Sequence, residues 1–136
     1  MTTEAVAVHA GLFEGGAGQA SHLIGGLCAV CRRSHFPRLE TCPYCSASGC
    51  RAHALPREGT LYLYTAVLHR PPGYRGGVPY GFGVVELRDG LRVVTRLTES
   101  DVTRLRPGMP MRLVITPLHR DDEGRDVLSY AFAPAE

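Results

Sequence analysis

Residues 23–45 read LIGGLCAVCRRSHFPRLETCPYC. Two C-x2-C pairs, Cys28/Cys31 and Cys42/Cys45, stand ten residues apart in this stretch. Each C-x2-C turn brings two thiolates onto one knuckle. Two facing knuckles complete a tetrahedron of soft ligands, the set that zinc takes with sulfur at about 2.3 Å. The same rubredoxin-like arrangement accepts a single iron, so iron stays open beside zinc. Four thiolates leave no position for water or substrate. The expected role is therefore structural, in a ribbon too short to bury a core of its own. The fifth cysteine, Cys50, lies five residues past Cys45. It reads as a small apolar residue at the ribbon's exit, with a replacement ligand or a reactive thiol as the other readings. An odd, clustered set of cysteines argues against a disulfide framework.

Upstream, residues 1–22 are mixed. Ala5 to Phe13 allows a short helical turn, which Gly15-Gly16-Ala17-Gly18 breaks. The stretch is read as an N-terminal arm or short helix. It lacks a basic region followed by an apolar one, so no secretory signal is expected. No apolar run approaches the ~20 residues of a membrane span. A cytoplasmic protein is the expectation.

Downstream, from Gly59, the pattern changes to alternation and short apolar runs. Thr60–Leu68 is rich in β-branched and aromatic residues and reads as a first strand. RPPGYRGGVP, residues 70–79, holds too much Pro and Gly for a strand interior and reads as a long loop. Tyr80–Leu87 and Leu91–Leu97 are the next two strands, joined by an Asp89-Gly90 hairpin signal. Gly81 and Gly83, flanking Phe82, suggest a bulge or a close backbone approach. Ser100–Leu105 reads as a short helix capped by Ser100. Met111–Leu118 and Val127–Phe132 complete five strands. Five short strands with one helical interruption between the third and fourth match a five-stranded OB-fold barrel. The expected protein is mainly β: arm at 1–22, zinc ribbon at 23–52, barrel domain at 53–136.

Composition narrows the chemistry. All 15 basic residues are Arg. Lysine Schiff-base and general-base chemistry are thereby excluded, and side-chain ion pairs with phosphate must come from Arg or His. A net charge of +2 does not by itself imply a nucleic-acid binder. The six His sit in no Ser/His/Asp or H-E-x-x-H context and read as surface or interface residues. Two loops stand out. The one between the knuckles carries Arg33, Phe36 and Arg38; the one after the first barrel strand carries His69, Arg70, Tyr74 and Arg75. Both offer charge-assisted donors to phosphate with aromatic faces beside them.

With these residues in view, the chain resembles a family of acyl-CoA-associated proteins that join a zinc ribbon to an OB-fold and were long labelled a domain of unknown function. The resemblance rests on LIGGLCAVCRRSHFPRLETCPYC, GTLYLYTAVLHRPPGY, PYGFGVVEL and RPGMPMRLVITPL, and it covers nearly the whole chain. One departure is Ser46, where the family often has Gly. The resemblance implies a non-catalytic accessory subunit. Its partner would be a thiolase-fold catalytic subunit that supplies the catalytic residues, and its ligand an acyl-CoA thioester. Degradation of aromatic or steroid compounds is one implied setting, with a subunit of a benzoylsuccinyl-CoA thiolase as one form of it. An acyltransferase complex of polyketide or phloroglucinol assembly is another, and the residues do not choose. A single-stranded nucleic-acid-binding module is the competing class; interleaved acidic residues argue against it.

Overall fold

In a computed structural model, residues 5–15 and 21–135 are described. The barrel is built from five strands: β6 (Glu58–Val67), β7 (Tyr80–Leu87), β8 (Arg92–Leu97), β9 (Pro110–Arg120) and β10 (Asp126–Pro134). They pair in the order β10-β8-β7-β6-β9, and β9 pairs β10 to close the cylinder. The contact between β8 and β10 is parallel and rests on one register pair, Phe132 with Leu97. This is the strand order of an OB-fold, with the expected five strands in the expected places. The helical interruption is a single 3-10 turn, Val102–Arg104. Its cap is Asp101 rather than Ser100: the Asp101 carboxylate accepts from the Thr103 N–H at 3.0 Å.

The ribbon forms a second, smaller sheet. β3 (His22–Leu27) is its centre, flanked by β4 (Ser34–His35) and β5 (Arg51–Ala54) on one end and by β2 (Phe13–Glu14) on the other. The N-terminal arm is not helical between Ala5 and Phe13. Val6–Ala7, strand β1, pairs parallel with β10, and Phe13–Glu14 pairs with β3. Tertiary pairing to two sheets overrides a weak helical propensity. The glycine break at 16–18 lies outside the described residues.

Alternation explains how the barrel fills itself. On β7 and β8 the inward residues Val85, Leu87, Val93 and Leu97 are at most 3% exposed. They join Leu61, Leu105, Met109, Met111, Leu113 and Phe132 in one core. Leu23 from β3 and Leu55, just past β5, are buried in that same core. The ribbon is thus a lid on the barrel, sharing its hydrophobic interior.

Two local features shape the wall. Gly83 faces inward, where a Cβ would overlap the Leu63 carbonyl, so the expected close backbone approach is present. Pairing of β6 with β7 shifts register between Leu61 and Leu63. In an unbroken strand these two residues would share a face. With the bulge, Leu61 is buried at 1% while Leu63 is 58% exposed.

The β9–β10 hairpin is tied by Asp121. Its carboxylate accepts from the N–H groups of Arg125 (2.9 Å) and Glu123 (3.0 Å) and from Arg125 Nε (2.8 Å). The Arg125 N–H first, then the Arg125 side chain and the Glu123 N–H, hold Asp121 below the usual carboxylate range. A depressed folded-state value means that the stabilisation is present above the ordinary carboxylate pKa of about 4 and disappears as pH falls through the lower, folded value. Asp121→Ala should therefore melt below the wild type at pH 7, and the difference should shrink as pH falls below about 4. Thermal melts across that range check this; a gap that does not narrow would show that the charge is not what ties the turn.

Candidate metal centre and ligand clefts

Cys28 and Cys31 lie on the turn after β3, and Cys42 and Cys45 on the turn after the inter-knuckle loop. Their four sulfurs all lie within 4.8 Å of one another. Cys28 Sγ is 3.6 Å from Cys45 Sγ, and Cys31 Sγ is 3.6 Å from Cys42 Sγ. Four sulfurs at about 2.3 Å from a central ion stand roughly 3.8 Å apart. The observed spacings fit a tetrahedral ion, and none of the four is in a disulfide. The donor set thus suits a metal as the C-x2-C spacing predicts.

The two knuckles are near copies. In the first, Arg32 N donates to Cys28 O (2.9 Å) and Cys28 N to Arg33 O (3.1 Å); in the second, Ser46 N donates to Cys42 O (3.0 Å) and Cys42 N to Ala47 O (2.8 Å). In each, the residue after the second cysteine has positive φ: Arg32 at 63° and Ser46 at 66°. Glycine would suit either position, because an L side chain there is held in the left-handed region at some cost.

The turns also polarise the sulfurs. The N–H of Cys31 is the main reason the Cys28 thiol sits down at about 6. At Cys42 burial opposes ionisation, yet the N–H groups of Cys45 and Tyr44 carry its thiol below the ordinary value. The N–H of Arg33 favours ionisation of Cys31, but burial and the neighbouring sulfurs outweigh it and push that thiol up to about 11. A cation at the centre would relieve this mutual repulsion. Cys50 is buried at 2% against Cys28 and Cys42, and burial raises its thiol. It packs as a small apolar residue.

The inter-knuckle loop is anchored from inside. His35 is 3% exposed, so it is a core residue and not the surface histidine expected. Its Nε2 accepts from the Leu39 N–H at 2.9 Å. Its ring lies where a Cβ on Gly26 would be, which accounts for the small residue in Gly25-Gly26. Phe36 meets Tyr130 of β10 edge to face, with centroids 5.4 Å apart. Tyr130 is half-buried, and that burial pushes its phenol up.

The seven loop residues singled out from the sequence fall in several places. Arg33 stacks over Tyr44 at 5.1 Å and lines a cleft of about 670 Å³ with Arg32, His53, Asp89 and Arg92. Phe36 and Tyr74 line a second cleft of about 580 Å³ on the barrel side. Arg38 donates to the Cys50 carbonyl at 2.8 Å, and Arg75 pairs with Asp122 at 3.0 Å. His69 and Arg70 are exposed on the loop after β6. Sequence reasoning missed His53 and Arg92 in the first cleft and Arg96 in the second. They sit on strands, where alternation marks a residue as outward but says nothing of what it faces.

With this geometry in hand, comparison with known proteins is specific. Residues 52–116 match the family described as ChsH2, C-terminal OB-fold domain. A DUF35 domain-containing scaffold protein of Pyrococcus furiosus is 28% identical over 115 residues, covering 82% of each chain. Benzoylsuccinyl-CoA thiolase subunit BbsA of Thauera aromatica is 30% identical over 115 residues, covering 85% of this chain and 78% of that subunit. A chain in the solved structure of the Ltp2-ChsH2(DUF35) aldolase superposes with a TM-score of 0.67 at 28% identity, covering 85% of this chain and 86% of that one. A zinc-ribbon-like cysteine cluster sharing a core with an OB barrel, together with these matches, places the chain in the DUF35 family. Relatives in that family include subunits of thiolase and aldolase complexes.

Two variants test the centre. Ser46→Gly removes a side chain from the left-handed region and should stabilise the ribbon by about 0.5–1 kcal/mol, read as slower metal loss to a chelator. Cys42→Ser should abolish stoichiometric metal and lower soluble yield; a metal-free but fully folded Cys42→Ser ribbon, seen as native amide dispersion, would remove the metal's structural role.

Proposed function

We propose that this chain is a non-catalytic accessory subunit of a thiolase-like complex, which carries a structural zinc ion and helps its catalytic partner bind an acyl-CoA thioester. The observation that carries the reading is the likeness to a benzoylsuccinyl-CoA thiolase subunit over 78% of that subunit's length. The likeness to a chain of an aldolase complex supports it from the fold. A centre of four mutually close sulfurs suits a structural ion, because four thiolates saturate a tetrahedral metal and leave no open position. Zinc is the ion we favour over iron. The setting we favour is the cytoplasmic breakdown of an aromatic or steroid acyl-CoA. Among the described residues no helix is long and apolar enough to cross a membrane.

The cleft between ribbon and barrel suits the charged end of the ligand. Arg32, Arg33, His53 and Arg92 line it, with the Tyr44 ring alongside. CoA carries several phosphate charges and an adenine face; guanidinium forks and a stacking ring complement both. Arg38 and Arg75 have polar partners within the chain, the Cys50 carbonyl and Asp122, so their first contribution is to hold the two loops in place.

The test is to co-express the chain with the thiolase-fold subunit from its own genome, measure metal in the complex, and titrate a CoA thioester. We expect one zinc per chain. Arg33→Ala should weaken thioester affinity about tenfold if the phosphate contact is desolvated, without changing subunit association. Unchanged affinity would move the phosphate seat elsewhere. Steady thioester turnover by the isolated chain, lost on mutation of its own residues, would overturn the accessory reading.

A further inference from the structure

The outward face of β6, β7 and β8 carries a central apolar row where a water-facing sheet is ordinarily polar. Alternation sends Phe82 and Val84 of β7, and Val94 and Arg96 of β8, away from the core. The register lines them up across three strands. Leu63 lies beside Val84 and Val84 beside Val94; Thr65 lies beside Phe82 and Phe82 beside Arg96. Leu63 is 58% exposed, Val94 56% and Phe82 38%. Leu63 stands there because of the bulge at residues 61–63, which turns a leucine out of the core onto this face.

One edge of the face drops into the 580 Å³ cleft. Its walls include Phe36, Tyr74, Tyr80, Phe82 and Tyr130, and it contains Arg96. The Nε and Nη2 atoms of Arg96 are out of reach of solvent and have no hydrogen-bond partner. Arg96 as a whole is half-buried, and the two atoms withdrawn from water without an acceptor carry a cost that falls when an anion reaches the guanidinium. The fork of a guanidinium matches a carboxylate with two parallel N–H···O bonds.

We infer that this face is the docking surface for the catalytic subunit, which lays apolar side chains on Leu63, Val84 and Val94 and delivers an aspartate or glutamate side chain to Arg96. The inference rests on the accessory-subunit reading and names the surface that it requires. Charge complementarity selects the occupant. A second copy of this chain, meeting the face symmetrically, would have to supply a carboxylate from the same three strands. The two carboxylates there, Glu58 and Glu86, are already held by Arg88 at 2.7 Å and by Arg92 at 3.0 Å. A small anionic ligand alone would satisfy Arg96 but leave the flat apolar row uncovered, whereas a protein surface does both.

Five forms of the chain, each carrying a purification tag and checked for metal content and melting temperature, separate the outcomes. They are wild type, Val94→Asp, Arg96→Ala, Arg96→Glu, and Arg120→Ala as a control on β9. Each is titrated against the purified thiolase-fold subunit. Val94→Asp and Arg96→Ala should each weaken association at least tenfold, while Arg120→Ala leaves it unchanged. Arg96→Glu should abolish association, and an Asp/Glu→Arg change at the contacting site of the catalytic subunit should restore it. Wild-type affinity in both Val94→Asp and Arg96→Glu overturns the surface but leaves the accessory reading standing. Failure of the wild-type chain itself to associate overturns both. Two results assign the face otherwise and also overturn the inference. One is a wild-type dimer in sedimentation that Val94→Asp dissolves with no effect on the catalytic subunit. The other is an Arg96→Ala chain that associates normally but has lost CoA-thioester affinity.

Discussion

The mutual nearness of four sulfurs organises everything N-terminal to the barrel. Ionisation favoured at Cys28 and Cys42 pushes the neighbouring Cys31 thiol the other way, and the ribbon's small sheet has little buried surface of its own to oppose that repulsion. With the knuckles drawn together, the loop between them is fixed at both ends. His35 then seats against Gly26, and Phe36 is presented to Tyr130. Leu23 and Leu55 enter the barrel core from the same sheet. The ribbon therefore both carries a cluster of four cysteines suited to an ion and forms one wall of the barrel's interior, and the clefts on either side of it exist because it is held in that place.

Function follows from this joint. One cleft lies between the ribbon and the β7–β8 hairpin, where Ser34 Oγ donates to Asp89 at 3.2 Å. The other lies between the ribbon's Phe36-Pro37 corner and the outer barrel wall. The first is lined by three arginines, His53 and Asp89, the second by aromatic rings around the half-buried Arg96 guanidinium. The accessory subunit proposed above would use both kinds of surface: one to meet the ligand's phosphates, one to meet the catalytic partner.

Much of this was legible in the sequence, for identifiable reasons. The C-x2-C pairs announce their ligands because ligation demands a fixed spacing. The five barrel strands were readable because half-buried strands alternate and Gly/Pro loops interrupt them. What escaped was set by tertiary contact. The arm's residues 5–13 pair with β10 and β3, partners far away in the chain. His35 looks like any loop histidine until Gly26 makes room for its ring. The bulge beyond Leu61 has no composition signal, so alternation would put Leu63 inside. Arg96 is one of fifteen arginines in the sequence, and its burial without a partner is visible only once Phe82 and Tyr130 stand around it.

The order of residues along the chain has a temporal meaning as well. The metal ligands are close in sequence, from Cys28 to Cys45, and closing so short a loop is fast and entropically cheap. Leu23, by contrast, shares its core with Phe132 and Leu113, which are made some 90 residues or more after it. A nascent chain thus has its ion-binding knuckles complete while the interior that they will cap does not yet exist. The knuckles are able to take an ion first, while the ribbon's apolar side stays bare until β9 and β10 arrive. In synthesis, the lid is made before the vessel.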